Sequence, residues 1–289
     1  MEIDTPTSPL IDKQLVAQRF ARARATYGRE ALVQRQVAEK MVHLLTRSLL
    51  ATGVEAVRLP HHFHHIVELG CGPGCLSRLL CQTFRPETLL LNDLCPEMGE
   101  LVQDLCASVR AQAGGGQHET GGGTCPPAVS FQSGDAEALV FPADTDLIIS
   151  CSTLQWFARP AEFFHRCYLA LPPGGMLALS TFGPDNLRET KALTGGGLTY
   201  LPLGQLQAML AQDFQLIHSE EERITLSFAT PLDVLRHLKL TGATGTDRRA
   251  WTRARLDRFC ADYVRQFQDA DRQVSLTYHP IYLIAKKLR

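Results

Sequence analysis

The chain has 289 residues, 45% of them hydrophobic, which is long and apolar enough to bury a sizeable core as one decorated α/β domain. Its 29 basic and 30 acidic side chains leave a net charge of −1, so no global pull toward nucleic acid or an anionic membrane is expected, and an acidic partner must meet a local patch. No apolar run approaches the roughly 20 residues of a membrane span, residues 1–12 lack a charged-then-apolar leader pattern, and the nine cysteines form no repeated CxxC pair, so a cytoplasmic protein without a disulfide framework is expected.

From residue 13 to 50 the apolar positions Leu15, Val16, Phe20, Leu32, Val33, Val37, Met41, Leu44 and Leu45 recur at helical spacing, with an interruption around Tyr27 and Gly28. This predicts two helices before the first strand, within an N-terminal helical segment over residues 1–50. Residues 65–69 read as a short apolar strand, followed by a glycine loop and a helix with Leu76, Leu79 and Leu80 on one face. A second strand is predicted over 88–92 and a helix over 96–111, with Met98, Leu101, Val102 and Leu105 apolar. Residues 114–127 are too rich in glycine and proline to bury a core and are assigned to a mobile surface loop.

Strands follow over 129–133, 146–151 and 176–182, with a helix over 160–169 before the Pro172-Pro173-Gly174-Gly175 turn. Residues 183–212 read as helices around the Gly195-Gly196-Gly197 break, a cap inserted after strand five and overhanging the carboxyl ends of the strands. The closing region gives strands over 214–219 and 223–228, helices over 231–240 and 251–267, and a final strand over 275–286. The sum is a Rossmann-like α/β fold, a mostly parallel sheet of about seven strands with helices on both faces and its ligand outside the carboxyl ends.

The loop Glu68-x-Gly70-x-Gly72-x-Gly74 lets backbone approach a ligand closely, with the unpaired N–H groups of a helix N-terminus beside it. Its third glycine comes one residue too early for a dinucleotide fingerprint. The acid at strand end repels a pyrophosphate and suits a cationic amino-acid group. Strand two ends in Asn92-Asp93-Leu94, where a carboxylate can accept both hydroxyls of a ribose. Strand three leads into Gly134-Asp135-Ala136, with Asp135 placed to accept from an adenine amino group. Strand four delivers Ser150, Ser152, Gln155 and Trp156 to the same edge.

These four elements, in this order and spacing, resemble class I S-adenosylmethionine-dependent methyltransferases, which implies six parallel strands and one antiparallel closing strand. Flanking motifs narrow the resemblance: Arg19-Phe20-Ala21-Arg22-Ala23 with Tyr27 and Gln34, Leu154-Gln155-Trp156, Thr181-Phe182-Gly183-Pro184-Asp185-Asn186-Leu187, residues 238–244 (LKLTGAT) and Leu276-Thr277-Tyr278-His279. Over nearly its whole length the chain is similar to malonyl-acyl-carrier-protein O-methyltransferases of biotin synthesis, the BioC family. Gly28, Cys95 and the long 114–127 loop depart from that pattern without removing a group the chemistry needs.

The resemblance implies methyl transfer from S-adenosylmethionine, leaving S-adenosylhomocysteine, to the free carboxylate of malonyl-acyl carrier protein or malonyl-CoA, the step that starts pimeloyl synthesis. The cofactor residues expected are Tyr27, Glu68, Gly70, Cys71, Gly72, Gly74, Asn92, Asp93, Leu94, Gly134, Asp135, Ala136, Ser150, Ser152 and Gln155. A carboxylate is ionised near neutral pH, so no general base and no metal is expected. Tyr27, Trp156, Phe182, Tyr200 and Tyr278 are assigned to the substrate pocket, although Trp156, Phe182, Tyr200 and Tyr278 read equally as core filling.

A monomer is expected. An acidic carrier would need a basic face, and two clusters offer one: Arg19, Arg22, Arg24, Arg29 and Arg35, or Arg248, Arg249, Arg253, Arg255 and Arg258; each also reads as an ordinary solvated helix face. The run His61-His62-Phe63-His64-His65 has no convergent partner and is not assigned to a metal. Cys71 and Cys75 are assigned to packing. Three alternatives stay open: another small-acid carboxyl methyltransferase with a different cap, a BioC-like arginine hydroxylase of complex I assembly, and a noncatalytic cofactor-binding protein. The lack of an Arg-rich transit segment weighs against the hydroxylase.

Overall fold

A computed structural model describes residues 11–100, 127–242 and 251–288. Helix α1 (Lys13–Glu30) begins where the Asp12 carboxylate accepts the Leu15 N–H at 3.0 Å. It ends at Ala31, whose N–H still reaches the Tyr27 carbonyl at 2.8 Å. The predicted interruption at Tyr27 and Gly28 therefore falls later, since one glycine costs a helix about 1 kcal/mol without stopping it. Helix α2 (Leu32–Ala51) buries Val33, Val37, Met41 and Leu45 and packs on α3 (Cys75–Phe84).

The main sheet has seven strands in the order β3-β2-β1-β4-β5-β9-β6: β1 (His65–Leu69), β2 (Thr88–Asp93), β3 (Ala128–Ser133), β4 (Leu147–Cys151), β5 (Met176–Phe182), β6 (Gln215–Glu221) and β9 (Pro280–Lys286). β9 alone runs antiparallel, between β5 and β6. Alternate side chains feed two cores. Ile66, Leu147, Ile149, Met176, Ala178 and Ile284 meet α2 and α3, while Val67, Leu69, Ile148, Leu177, Leu179 and Leu283 meet the other face. There they pack on α4 (Pro160–Ala170), which opens on proline at its first turn, and on α6 (Leu203–Leu210).

Two sequence expectations change. The single strand predicted over 275–286 is broken at His279: β8 (Val274–Tyr278) leaves the sheet and pairs with β7 (Ile224–Phe228) in a separate two-stranded ribbon. The ladder cannot run through, because the His279 N–H goes to Asn186 Oδ1 at 3.2 Å and Pro280 has no N–H. Of residues 183–212, the part holding α5 (Arg188–Thr194) and residues 195–200 lies at the carboxyl ends of the strands, but α6 buries Leu206 and Leu210 in the second core. Helices α7 (Pro231–Leu240), capped by Thr230, and α8 (Arg253–Phe267), capped by Thr252, join α5 around that end. Residues 101–111 of the predicted helix, 114–126 of the predicted loop and Arg248 and Arg249 lie outside the described residues.

Candidate functional site

The strand order reverses between β1 and β4, and the crevice there holds the glycine loop. Glu68, next to last in β1, is almost fully buried, and its Oε2 has no hydrogen-bond partner among the described residues. Burial drives its carboxyl up to about 8, the Ser77 hydroxyl opposes this, and the Asp93 charge adds to it. Gly70 has φ of +66°, and a Cβ there would fall 2.1 Å from Thr153 Oγ1, so this crossing admits only glycine.

Asp93 is fixed by two backbone donors, Gly72 N on Oδ2 and Cys95 N on Oδ1, each at 2.9 Å. Burial pushes its carboxyl upward and those hydrogen bonds pull it back. Asn92 ties β2 to β3 by donating from Nδ2 to the carbonyls of Gln132 at 3.0 Å and Gly134 at 3.1 Å. Asp135 accepts from Lys13 Nζ on both oxygens, at 2.7 and 2.6 Å, and Lys13 also pairs with Glu137. The carboxylate expected to take an adenine amino group is therefore held by an ammonium from α1, a partner that a single lysine in a helical pattern does not reveal.

These groups line one cleft of about 750 Å³, open to solvent, to which Tyr27, Gly70, Gly72, Asn92, Asp93, Leu94, Gly134, Asp135, Ala136 and Ser152 all contribute. Glu68 and Cys71 line a smaller cavity beside it, shared with Tyr27, Gly70, Gly72 and Ser152. Gly74 and Ser150 line none of these cavities. Gly74 is the left-handed N-cap of α3, and the Ser150 hydroxyl is buried against the Leu69 carbonyl at 2.8 Å, locking β4 to β1.

A second, larger chamber of about 1740 Å³ opens on the other side of Tyr27. It collects all five residues assigned to a substrate pocket, Tyr27, Trp156, Phe182, Tyr200 and Tyr278, and also Gln155. Gln155 thus faces this chamber rather than the first cleft; its amide donates to the Ser152 carbonyl at 2.7 Å and accepts from Thr181 at 3.3 Å. The two spaces share a wall of four residues, Phe20, Tyr27, Ser152 and Trp156. Phe20 sets the wall, its ring edge-on to Tyr27 at 6.0 Å and to Trp156 at 5.8 Å. Ser152 sits at φ of +56°, and its Oγ and Trp156 Nε1 are buried without a hydrogen-bond partner.

The phenols around the chamber are held protonated. Burial, with Asp93 behind it, keeps Tyr27 well above its ordinary range; burial does the same for Tyr278 and pushes Tyr200 up to about 12. Two second partners escaped the sequence reading: His237 Nε2 lies 2.8 Å from the Tyr278 hydroxyl, and Asn186 donates to the Tyr200 hydroxyl at 2.9 Å. Asn186 belongs to the quoted Thr181–Leu187 motif, so its position was visible though its role was not.

Within the histidine run, His64 Nδ1 lies 2.9 Å from Glu87 and His65 Nδ1 2.9 Å from the Thr88 hydroxyl, while His62 packs edge-on against Phe63. Burial lifts the thiols of Cys71, Cys95 and Cys151 above their ordinary value, the last two up to about 12, which disfavours the thiolate. Of the arginine clusters, Arg24 pairs with Glu100, Arg29 with Glu30 and Arg258 with Asp262, while Arg255 stacks 4.7 Å over the Trp251 ring. Among the described residues no helix is long and apolar enough to cross a membrane.

A family model described as a methyltransferase domain matches residues 67–179, which run from β1 to β5. Curated proteins named malonyl-[acyl-carrier protein] O-methyltransferase align over nearly the whole chain. That of Bacteroides helcogenes is 54% identical over 96% of this chain and 99% of its own length. The Bacteroides thetaiotaomicron protein is 44% identical over 96% and 99%, and the Haemophilus influenzae protein 38% over 96% and 95%. Among solved structures, magnesium protoporphyrin IX methyltransferase from Synechocystis, with S-adenosylhomocysteine bound, superposes with a TM-score of 0.56 at 17% identity over 96% of this chain and all of its own. The YcgJ protein of Bacillus subtilis gives 0.55 at 14%, over 87% and 99%.

Proposed function

Because the chain belongs to the family of malonyl-[acyl-carrier protein] O-methyltransferases, we propose that it transfers a methyl group from S-adenosylmethionine to the free carboxylate of a malonyl thioester, the ester that starts pimeloyl synthesis for biotin. The observation that carries this reading is the pair of cavities meeting at one wall. On one side the lining carries Asp93 and Asp135, the latter held by Lys13, with Glu68 adjoining; on the other it is aromatic, aliphatic and amide, with Lys191 and Lys239 the charged side chains among its described residues.

The residues present fit the methyl donor. Glu68 Oε2 and Ser152 Oγ are buried polar atoms with unused hydrogen-bonding capacity, and the carboxylates of Glu68, Asp93 and Asp135 are acceptors suited to a ligand that carries an ammonium, ribose hydroxyls and an adenine amino group. Glu68 and the loop from Gly70 to Gly72 would hold the amino-acid end, Asp93 the ribose, and Asp135 with Ala136 the adenine. When bound, the cofactor supplies an electrophilic methyl on sulfur.

This chain's own residues then position and exclude. The shared wall of Phe20, Tyr27, Ser152 and Trp156 carries no charged side chain, so an incoming carboxylate loses water there without gaining a counter-ion. That matters because the carboxylate charge is spent in the transition state, and a cation paired with it would stabilise the ground state more. Tyr27 and Tyr278, kept protonated, act as hydrogen-bond donors that orient the carboxylate for in-line attack. No proton is moved, and none of these groups needs to act as a base.

In this reading α1 and α2 close over the cofactor, the segment from Asn186 to Tyr200 forms the cap, and the enzyme works as a cytoplasmic monomer. Purified protein incubated with S-adenosylmethionine and malonyl-acyl carrier protein should yield a mass gain of one methylene on the free carboxyl. Absence of that ester, in protein shown to bind the cofactor, overturns the assignment.

A further inference from the structure

The chamber beyond the shared wall is charged in one place only. Among its described lining residues the sole ionic side chains are Lys191 on α5 and Lys239 on α7, with no carboxylate beside them. Both are solvent-exposed, which puts them at the chamber mouth, and neither has an ion-pair partner among the described residues. Neither lines the cofactor cleft. Two cations at the open end of an otherwise neutral chamber call for an anion at the far end of the substrate.

We infer that Lys191 and Lys239 form a phosphate subsite that grips the phosphopantetheine arm of the substrate. The inference rests on the reading above. The malonyl carboxylate must reach the uncharged wall, where the methyl arrives, so it is not the group that meets the lysines. The opposite end of the thioester arm carries a phosphate whether the carrier is a protein or coenzyme A. An ammonium is well suited to it, as a point charge on a mobile stem that tolerates sliding of a long arm. The subsite therefore selects for the carrier-linked arm rather than for the acyl group, and it does so through binding.

The test compares malonyl-phosphopantetheine with malonyl-pantetheine, which differ only in the phosphate, in the wild type and in the Lys191→Gln/Lys239→Gln double variant. The wild type should favour the phosphorylated arm by roughly tenfold in KM with similar kcat. In the double variant that gap should close, and Lys191→Arg/Lys239→Arg should restore most of it. A gap that survives in the Gln variant, including an equal loss on both substrates, overturns the subsite and returns the lysines to the carboxylate. No gap in the wild type overturns it as well. Malonyl-acyl carrier protein and malonyl-CoA should both weaken in the double variant; weakening of the carrier protein alone would assign the lysines to the protein surface instead and overturn the phosphate. Ester formation without a phosphate effect sinks only this inference, whereas no ester from any malonyl thioester sinks the reading beneath it.

Discussion

Glu68 and Gly70 stand two residues apart and are constrained in opposite ways. Glu68 has a carboxyl lifted by burial from 4.5 to about 8, so the folded, ligand-free protein takes up a proton there. Its folded value exceeds its unfolded one, hence its contribution to stability is full below about pH 4.5 and is lost as pH rises to about 8, on the order of a few kcal/mol. Glu68→Gln should flatten that slope, giving a higher melting temperature than the wild type at pH 9. The same variant should weaken S-adenosylhomocysteine by about tenfold at pH 8 and lack the tightening expected of the wild type from pH 6 to pH 8, as titration calorimetry would record. A steeper melting profile in the variant would contradict this. Gly70→Ala meets Thr153 Oγ1 at 2.1 Å and a positive φ as well. We expect a loss of about 1–3 kcal/mol in denaturant unfolding. Adding Thr153→Ala should recover only the steric part, since the backbone angle remains.

At the scale of elements the informative one is α1. It buries only Val16 and Ala23 among its eighteen residues, so its position depends on a few polar ties. Lys13 pins its first turn to Asp135 and Glu137, and Thr26 pins its last third to the Leu240 carbonyl of α7 at 2.9 Å. Since Lys13 occupies the carboxylate assigned to adenine, ligand entry requires the bridge to part. Lys13→Met should therefore accelerate association of S-adenosylhomocysteine by about threefold and leave dissociation unchanged, tightening equilibrium affinity by the same factor. Stopped-flow fluorescence from Trp156 reads both rates. An unchanged association rate would mean that α1 lifts without disturbing its first turn.

For the whole molecule, His279 is where sheet and chamber are joined. Its ring is buried, Nδ1 accepts the Asp185 N–H at 3.1 Å, Nε2 lies 3.3 Å from Glu221, and its N–H reaches Asn186, which in turn holds Tyr200. His279→Ala should cost about 2–4 kcal/mol in unfolding free energy. It should also raise the KM for the malonyl substrate more than that for the cofactor, because Tyr200 lines only the chamber. Equal effects on both would show a general loosening. The sheet core and the glycine loop were legible in the sequence, because strand periodicity and the spacing Glu68-x-Gly70-x-Gly72-x-Gly74 are local patterns that the chain must satisfy wherever it folds. Of the seven described aromatic residues that line the chamber the sequence named five, Trp156, Phe182 and Tyr278 through motifs beside strand ends, but gave no pocket role to Phe20 or Trp251. That Ser150 locks two strands while Ser152 faces the cavities came from the folded chain alone, since Ser152 lies one residue past β4 at φ of +56°, where strand alternation no longer sets a side chain's direction. Folding alone brought Lys13 to Asp135, 122 residues away, and set Lys191 and Lys239 in the lining of one chamber, because contacts between elements distant in the chain depend on how helices pack rather than on any pattern within them.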